Sequence, residues 1–284
     1  MNYLPETSLI LNLAPTGMIP MKSQSAEVPL QPNEIINDVL NCAEVGISSV
    51  HLHARDEGGT PTFSKEVYAR IIGGIREKRP DLIICVSCSG RGEVTLEQRT
   101  EVLTLEKDLR PDMASLTLSS MNFSTSASVN SPDTVMSLAI KMKDAGIKPE
   151  LEIFDLGMAN VLSYLIARDV VSPPYYANLI FGNLASAQAR LLDIGSLEVR
   201  LPTETIYCLG GLGHAQHPVA GIAAAIAPGV RIGLEDNIWL DRQRTKLASN
   251  CVLVQKIHSF AALHDRTVMS PSDLRMKLGL QPPL

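Results

Sequence analysis

The sequence predicts a single (β/α)8 TIM barrel over residues 1–284. Short apolar, β-rich runs alternate with longer segments whose apolar residues recur at helical spacing, and eight such units fit the chain. No stretch rich in Pro, Gly or Ser divides it into halves, and the length of 284 residues suits a fold that typically takes about 250. An open doubly wound sheet is the alternative if the strand count is off by one or two.

The first run is LILNLAP (9–15), and the helical pattern NEIINDVLNCAEVG follows a proline. SVHLHAR (49–55) precedes SKEVYARIIGGIREKRP, which opens on a serine cap and stops at a proline. Then come IICVSCS (83–89), MASLTLS (113–119), ELEIFD (150–155), YYANLIFG (175–182), ETIYCLG (204–210) and RIGLED (231–236). A final helix falls within QRTKLASNCVLVQKIHSFAALH. Strand followed by helix, repeated, implies parallel strands joined by crossovers.

Composition excludes several classes. Hydrophobic residues make up 45% and charged residues 19%, a globular balance. The net charge is −5 and the densest cationic run, DRQRTK (241–246), includes an acid, so no nucleic-acid partner is expected. No apolar run approaches the roughly 20 residues that span a bilayer. The start, MNYLPETSLILNLAPTG, has no basic flank and its apolar stretch is interrupted by proline, so the reading is a cytoplasmic protein without membrane association. Five scattered cysteines do not suggest a disulfide framework. Cys85 and Cys88 sit three apart on a strand, hence on opposite faces, which favours packing over redox or zinc chemistry.

In a barrel the strand ends form one neighbourhood at the face where active sites are built. His51 and His53 share a strand face, either as hydrogen-bonded polar residues or as two ligands for one ion. The last run, VRIGLEDN, reads as Arg231, Gly233 and Glu235 alternating on one face, with the glycine leaving room for a ligand. Two histidines plus a carboxylate form a recurring catalytic zinc set. The bland reading of LEDN is a helix N-cap at Asp236 or Asn237, which is compatible with Glu235 as a ligand. VSCSGR offers Ser87 and Gly90, where a backbone amide can approach an anion. Ser115 and Thr117 share a face, as do Glu150 and Glu152, and glutamates inside a barrel need a partner such as Arg231. The loop GGLGH (210–214) occupies a common phosphate-binding location but lacks the P-loop lysine.

These residues resemble the β-keto acid cleavage enzymes, through LNLAPTG, VHLHARDEGGTPT, KPELEIFDLGM and VRIGLEDNIWLDR, in order and over nearly the whole chain. The resemblance implies a zinc-dependent exchange in which a β-keto acid and acetyl-CoA give acetoacetate and a new acyl-CoA. The steps would be Claisen condensation, CoA transfer and retro-Claisen cleavage. It implies Zn2+ on His51, His53 and Glu235; substrate binding by Ser87, Gly90 and Ser115; charge stabilisation by Arg231; and Asp236 as the base. Glu152, on a strand end, is read as a further substrate-binding residue and as the next candidate for the base. The resemblance also implies a homo-oligomer, a tetramer by family. Two positions depart from the family's reference member: Ser115 replaces a threonine, and Ile19 replaces a glutamate that receives the substrate's amino group. Ile19 therefore predicts a distal substrate end that is not cationic, unless Glu27 reaches the same spot. The alternatives are a CoA-independent, metal-dependent barrel aldolase or hydrolase, and a non-catalytic anion-binding barrel.

Overall fold

The computed structural model describes residues 6–282. Eight parallel strands form a closed barrel: β1 (Ser8–Leu13), β2 (Ser49–Leu52), β3 (Ile83–Val86), β4 (Met113–Thr117), β5 (Lys148–Ile153), β6 (Tyr175–Phe181), β7 (Thr205–Gly211) and β8 (Gly229–Ile232). Each pairs with its sequence neighbour, and β8 closes on β1 with Asn12 opposite Arg231. The closed (β/α)8 barrel is thus the fold that the alternating pattern predicts, and the open sheet is excluded.

The crossover helices include α1 (Pro32–Val45), α2 (Lys65–Arg76), the five-residue α3 (Leu96–Thr100), α4 (Pro132–Asp144), α5 (Leu156–Ala167), α6 (Leu191–Glu198), α7 (Gln216–Ile226) and α8 (Asn250–Ala262). Ser64 caps α2 by accepting from the Val67 amide, as its sequence suggests. Side-chain alternation sorts each strand into two environments. Leu9, Leu11, Leu13, Ile84 and Val86 point outward into the shell beneath the helices, whereas Ile10, Ile83, Cys85, Met113, Tyr176 and Cys208 fill the barrel interior. Cys85 and Cys88 fall into different clusters, the inner and the outer, although β3 ends at Val86 and Cys88 lies beyond the strand on which the spacing argument placed it. After α8 a short strand, β9 (Thr267–Val268), pairs with β1, and α9 (Pro271–Lys277) brings Leu274 and Leu278 against the interior cluster. This plug at the N-terminal end leaves the C-terminal mouth as the accessible one.

Two expectations about the last strand fail. The strand ends at Ile232, so Glu235 is delivered by a turn rather than by pleat alternation. Gly233, at φ +156°, lies against β1, where a Cβ would sit 1.9 Å from the Ala14 carbonyl oxygen. The glycine therefore admits close approach of two backbones, not a ligand. No helix begins at Asp236 or Asn237 either: α8 starts at Asn250, with Ser249 as its cap. The Asn250 side chain accepts from the Leu234 amide and donates to the Pro15 carbonyl, tying the turn to the end of β1. Among the described residues no helix is long and apolar enough to cross a membrane.

Candidate active site

Five of the strands contribute polar side chains to the mouth through their inward parity. Asn12 leads off from β1, His51 follows from β2, and the chain just beyond it supplies His53. Thr117 comes from β4, Glu150 and Glu152 from β5, and Arg231 from β8. The register sets Ser115 beside Glu150 and Thr117 beside Glu152, so the acids stack in two layers.

The lower layer is a histidine–carboxylate pair. His51 Nδ1 meets Glu150 Oε2 at 2.5 Å, and both side chains are essentially inaccessible to water. Asn12 donates to the other Glu150 oxygen at 2.8 Å, and the Cys85 thiol approaches Oε2 at 3.2 Å. Burial alone would raise the Glu150 carboxyl, but the His51 charge holds it down at about 2. Burial likewise opposes a charged His51, and the Glu150 and Glu235 carboxylates overcome it and push its pKa up to about 9. Sequence parity places Glu150 inside; its partner proves to be His51 rather than Arg231.

His51 Nε2 is thereby aimed upward, 3.3 Å from His53 Nε2. His53 Nε2 lies 3.3 Å from Glu235 Oε1. One donor atom from each of His51, His53 and Glu235 falls within 4.8 Å of the others. Burial lowers the His53 pKa, in keeping with a neutral ring that offers a lone pair, while the histidine and arginine charges hold the Glu235 carboxyl well below its usual range against the opposing effect of burial. Glu235 Oε2 is buried without a hydrogen-bond partner among the described residues. The carboxylates of Glu150, Glu152, Glu235 and Asp236 outnumber the nearby cations Arg231, Arg91 and protonated His51 by one charge. Donor set, orphaned oxygen and excess negative charge all fit a divalent cation.

Arg231 organises the acids beside this cluster. Its Nε donates to Asp236 Oδ2 at 3.0 Å, and Nη2 donates to Asp236 Oδ1 at 3.2 Å and to Glu235 Oε1 at 2.7 Å. Nη1 lies 3.8 Å from Glu152 Oε1, whose other oxygen accepts from the Thr117 hydroxyl at 2.6 Å. Burial pushes the Asp236 carboxyl up to about 6 despite the arginine, and the Glu235 charge adds to the rise. The arrangement sets a carboxylate with a raised pKa next to the His51, His53 and Glu235 donor atoms.

A cavity of about 220 Å³ opens above these groups, lined by His53, Ser87, Glu152, Arg231, Glu235 and Asp236 and reaching Ile19 at its edge. Ile19 is 49% exposed, and Glu27 is exposed without lining the cavity. Ser87 Oγ accepts from the Ser89 amide. Ser115 Oγ accepts from the Cys88 amide and lies outside the lining. Gly90 also lies outside it, packed where a Cβ would approach the Val129 carbonyl oxygen to 2.5 Å. Arg91 and Phe123 also line this wall; in the sequence their sole signal is an arginine directly after SCSG. The GGLGH segment closes β7 and enters a short 3-10 turn before α7.

Known proteins resemble this chain over nearly its whole length. A 3-keto-5-aminohexanoate cleavage enzyme from Acetoanaerobium sticklandii is 31% identical over 273 residues, covering 96% of this chain and 98% of that protein. A 3-oxoadipate:acetyl-CoA acetyltransferase from Cupriavidus necator is 33% identical over 275 residues, covering 95% and 94% respectively. Among solved structures, ObcA in binary complex with oxaloacetate shares the fold at a TM-score of 0.80 and 18% identity, over 90% of this chain and 68% of that one. With those relatives matched end to end and residues 8–280 fitting the family as a whole, the chain belongs to the beta-keto acid cleavage enzymes.

Proposed function

We propose that the protein exchanges acyl groups between a β-keto acid and acetyl-CoA with the help of zinc. The acid R–CO–CH2–COO⁻ and CH3–CO–SCoA give R–CO–SCoA and acetoacetate, by condensation, CoA transfer and retro-Claisen cleavage. The observation that carries this reading is the convergence of His51, His53 and Glu235 donor atoms within 4.8 Å, beside Asp236 on the same cavity floor. Family membership and the acetyl-CoA transferase named among the relatives support it.

His51, His53 and Glu235 hold the cation, and Glu150 orients His51 through Nδ1. When bound, the cation supplies an electrophile for a substrate carbonyl oxygen and for the negative charge that develops there. Asp236 takes the proton from the carbon between the two carbonyl groups; Arg231, gripping both Asp236 oxygens, fixes the carboxylate's direction. Ser87, the one serine of the expected set that lines the cavity, meets the acetoacetate-like end of the substrate. Gly90 and Ser115 support that end from behind, through the backbone and the Cys88 amide. The exposed side chains of Leu184, Leu191, Leu192 and Val199 in and around α6 support a homo-oligomer, which sedimentation would size.

The test is an acyl-CoA product screen against a panel of β-keto acids. Formation of acetoacetate in step with a new acyl-CoA is the expected result. Cleavage that consumes no acetyl-CoA would replace this reading with a CoA-independent aldolase or hydrolase, and the absence of any turnover in zinc-loaded protein would favour a binding barrel.

A further inference from the structure

Five arginines are buried in this barrel: Arg55, Arg99, Arg231, Arg266 and Arg275. Each guanidinium is held by several acceptors. Arg55, for instance, donates to the carbonyls of Gly17, Pro20 and Gly59, and Arg266 donates to those of Ala223, Ala224 and Ala227. Arg231 Nη1 and Arg275 Nε lack a hydrogen-bond partner among the described residues, but the other donors of both side chains are paired, as expected since a guanidinium stays charged and a desolvated charge requires partners.

Arg91 is the exception. It is half-buried, and its Nε is shut off from water without an acceptor among the described residues. Its guanidinium carbon lies 3.5 Å from the centre of the Phe123 ring, and Phe123 packs edge-on against Phe154 with centroids 5.9 Å apart. The Arg91 backbone is fixed by its amide's bond to Ser89 Oγ and by a bridge to Ser128. Burial lowers its pKa, as for a cation that lacks a partner. The result is a fixed, stacked cation with donor capacity left over.

Its position identifies what it faces. Arg91, Phe123, Ile19 and Leu212 line both the inner cavity and a wider outer cleft of about 790 Å³, so they form the neck between the two. His53 and Glu235 of the cation cluster lie on the inner floor with Asp236. A substrate whose reacting carbons rest on that floor presents its remote end to the neck. The neck offers an apolar wall and one free cation among its described residues, because Glu152 and Glu235 are already engaged by Thr117, Arg231 and His53.

We infer that Arg91 receives a carboxylate at the distal end of the substrate, so that the preferred acids are 3-oxo dicarboxylates. This rests on the proposed exchange and narrows its substrate class. Arg91 acts in specificity, with its Nη donors closing on the carboxylate while Phe123 holds the guanidinium plane.

The experiment compares wild type, Arg91→Gln and Arg91→Lys by two routes. The first is calorimetric titration of the zinc-loaded protein with glutarate and with butyrate, which need no turnover. Glutarate should bind wild type about 10- to 100-fold more tightly than butyrate, the value of a charged hydrogen-bonded pair. Arg91→Gln should erase that ratio, and Arg91→Lys should keep part of it. The second route is the ratio of kcat/KM for a 3-oxo dicarboxylic acid over a 3-oxo monocarboxylic acid of equal chain length. It should favour the dicarboxylate in wild type and fall to about one in Arg91→Gln. Equal losses for both acids would overturn the inference by placing Arg91 on the carboxylate common to the two. A rise confined to the acetyl-CoA KM would overturn it by assigning Arg91 to a CoA phosphate. Should no acid yield acyl-CoA, the proposed exchange fails, while the glutarate titration still decides the role of Arg91.

Discussion

At the N-terminal end of the barrel, Ile10, Ile83, Met113, Tyr176 and Cys208 close against Leu274 of α9 and Leu278 just after it. A few residues further along the same strands, the C-terminal mouth buries Glu150, His51, Arg231 and Asp236. Both ends exclude water, yet by opposite physics. Apolar contact is non-directional and adds with area, so the plug stabilises whichever rotamers fill it. The mouth encloses charges whose desolvation is recovered only when each partner is in place, so its stability rests on exact pairings such as Arg231 with Asp236. The two ends teach that one backbone geometry can hold a stabilising layer and a costly, reactive layer within the same set of strands. Variants should therefore separate stability from chemistry according to the end they touch.

The largest effect is expected at the cation cluster. In the double variant His51→Ala, His53→Ala, zinc content measured by atomic emission should fall from about one per chain to near zero, and turnover should vanish. Full occupancy in that variant would remove these histidines from the ligand set. Next comes Asp236→Asn, which keeps shape and most hydrogen bonding but removes basicity. Zinc should stay while turnover drops about 10²-fold or more. Near-normal rates in zinc-loaded Asp236→Asn would shift the base to Glu152.

The opposite end supplies the contrast. Leu274→Ala opens a void in the plug and should lower unfolding free energy by about 2–5 kcal/mol, read by denaturant titration. Zinc content and kcat per folded molecule should not change; a loss of either would show that the two ends are coupled. Glu150→Gln lies at the boundary between the layers. It keeps an acceptor for His51 but removes the charge, and zinc affinity should weaken by about 10- to 100-fold, measured by competition with a chelator. Unchanged affinity would mean that geometry alone orients the ring.

The smallest effect concerns Asp38 on α1, which accepts from Asn250 behind the mouth and whose carboxyl burial pushes up to about 6. Between the ordinary value of 3.8 and about 6 the folded chain holds a proton that the unfolded chain has lost. Stability attributable to this residue therefore falls as pH rises through that window and stays lower above it. Asp38→Asn should remove that part of the slope, a gain of about 1–3 kcal/mol at pH 7. Parallel pH profiles for wild type and variant would show that Asp38 is relieved by water or by local movement.

The amino-acid order determined the barrel and much of the site's membership. Repeated strand and helix periods force parallel strands with crossovers, and the parity of VHLHAR and ELEIFD sends His51, Glu150 and Glu152 inward whatever their partners are. Motif resemblance supplied Glu235 and Asp236, although the strand-face argument for Glu235 did not survive the turn at Gly233. Only the tertiary structure decided who pairs with whom. Glu150 reaches His51 across 99 positions of sequence because closure of the barrel brings the inward side chains of β2 and β5, with β3 and β4 between them, together in a narrow interior. The isolation of Arg91 was equally hidden, since a missing partner is a property of everything packed around a side chain. Periodicity is local and survives in sequence, whereas ion pairs across a barrel depend on closure, strand register and the desolvation that comes with them.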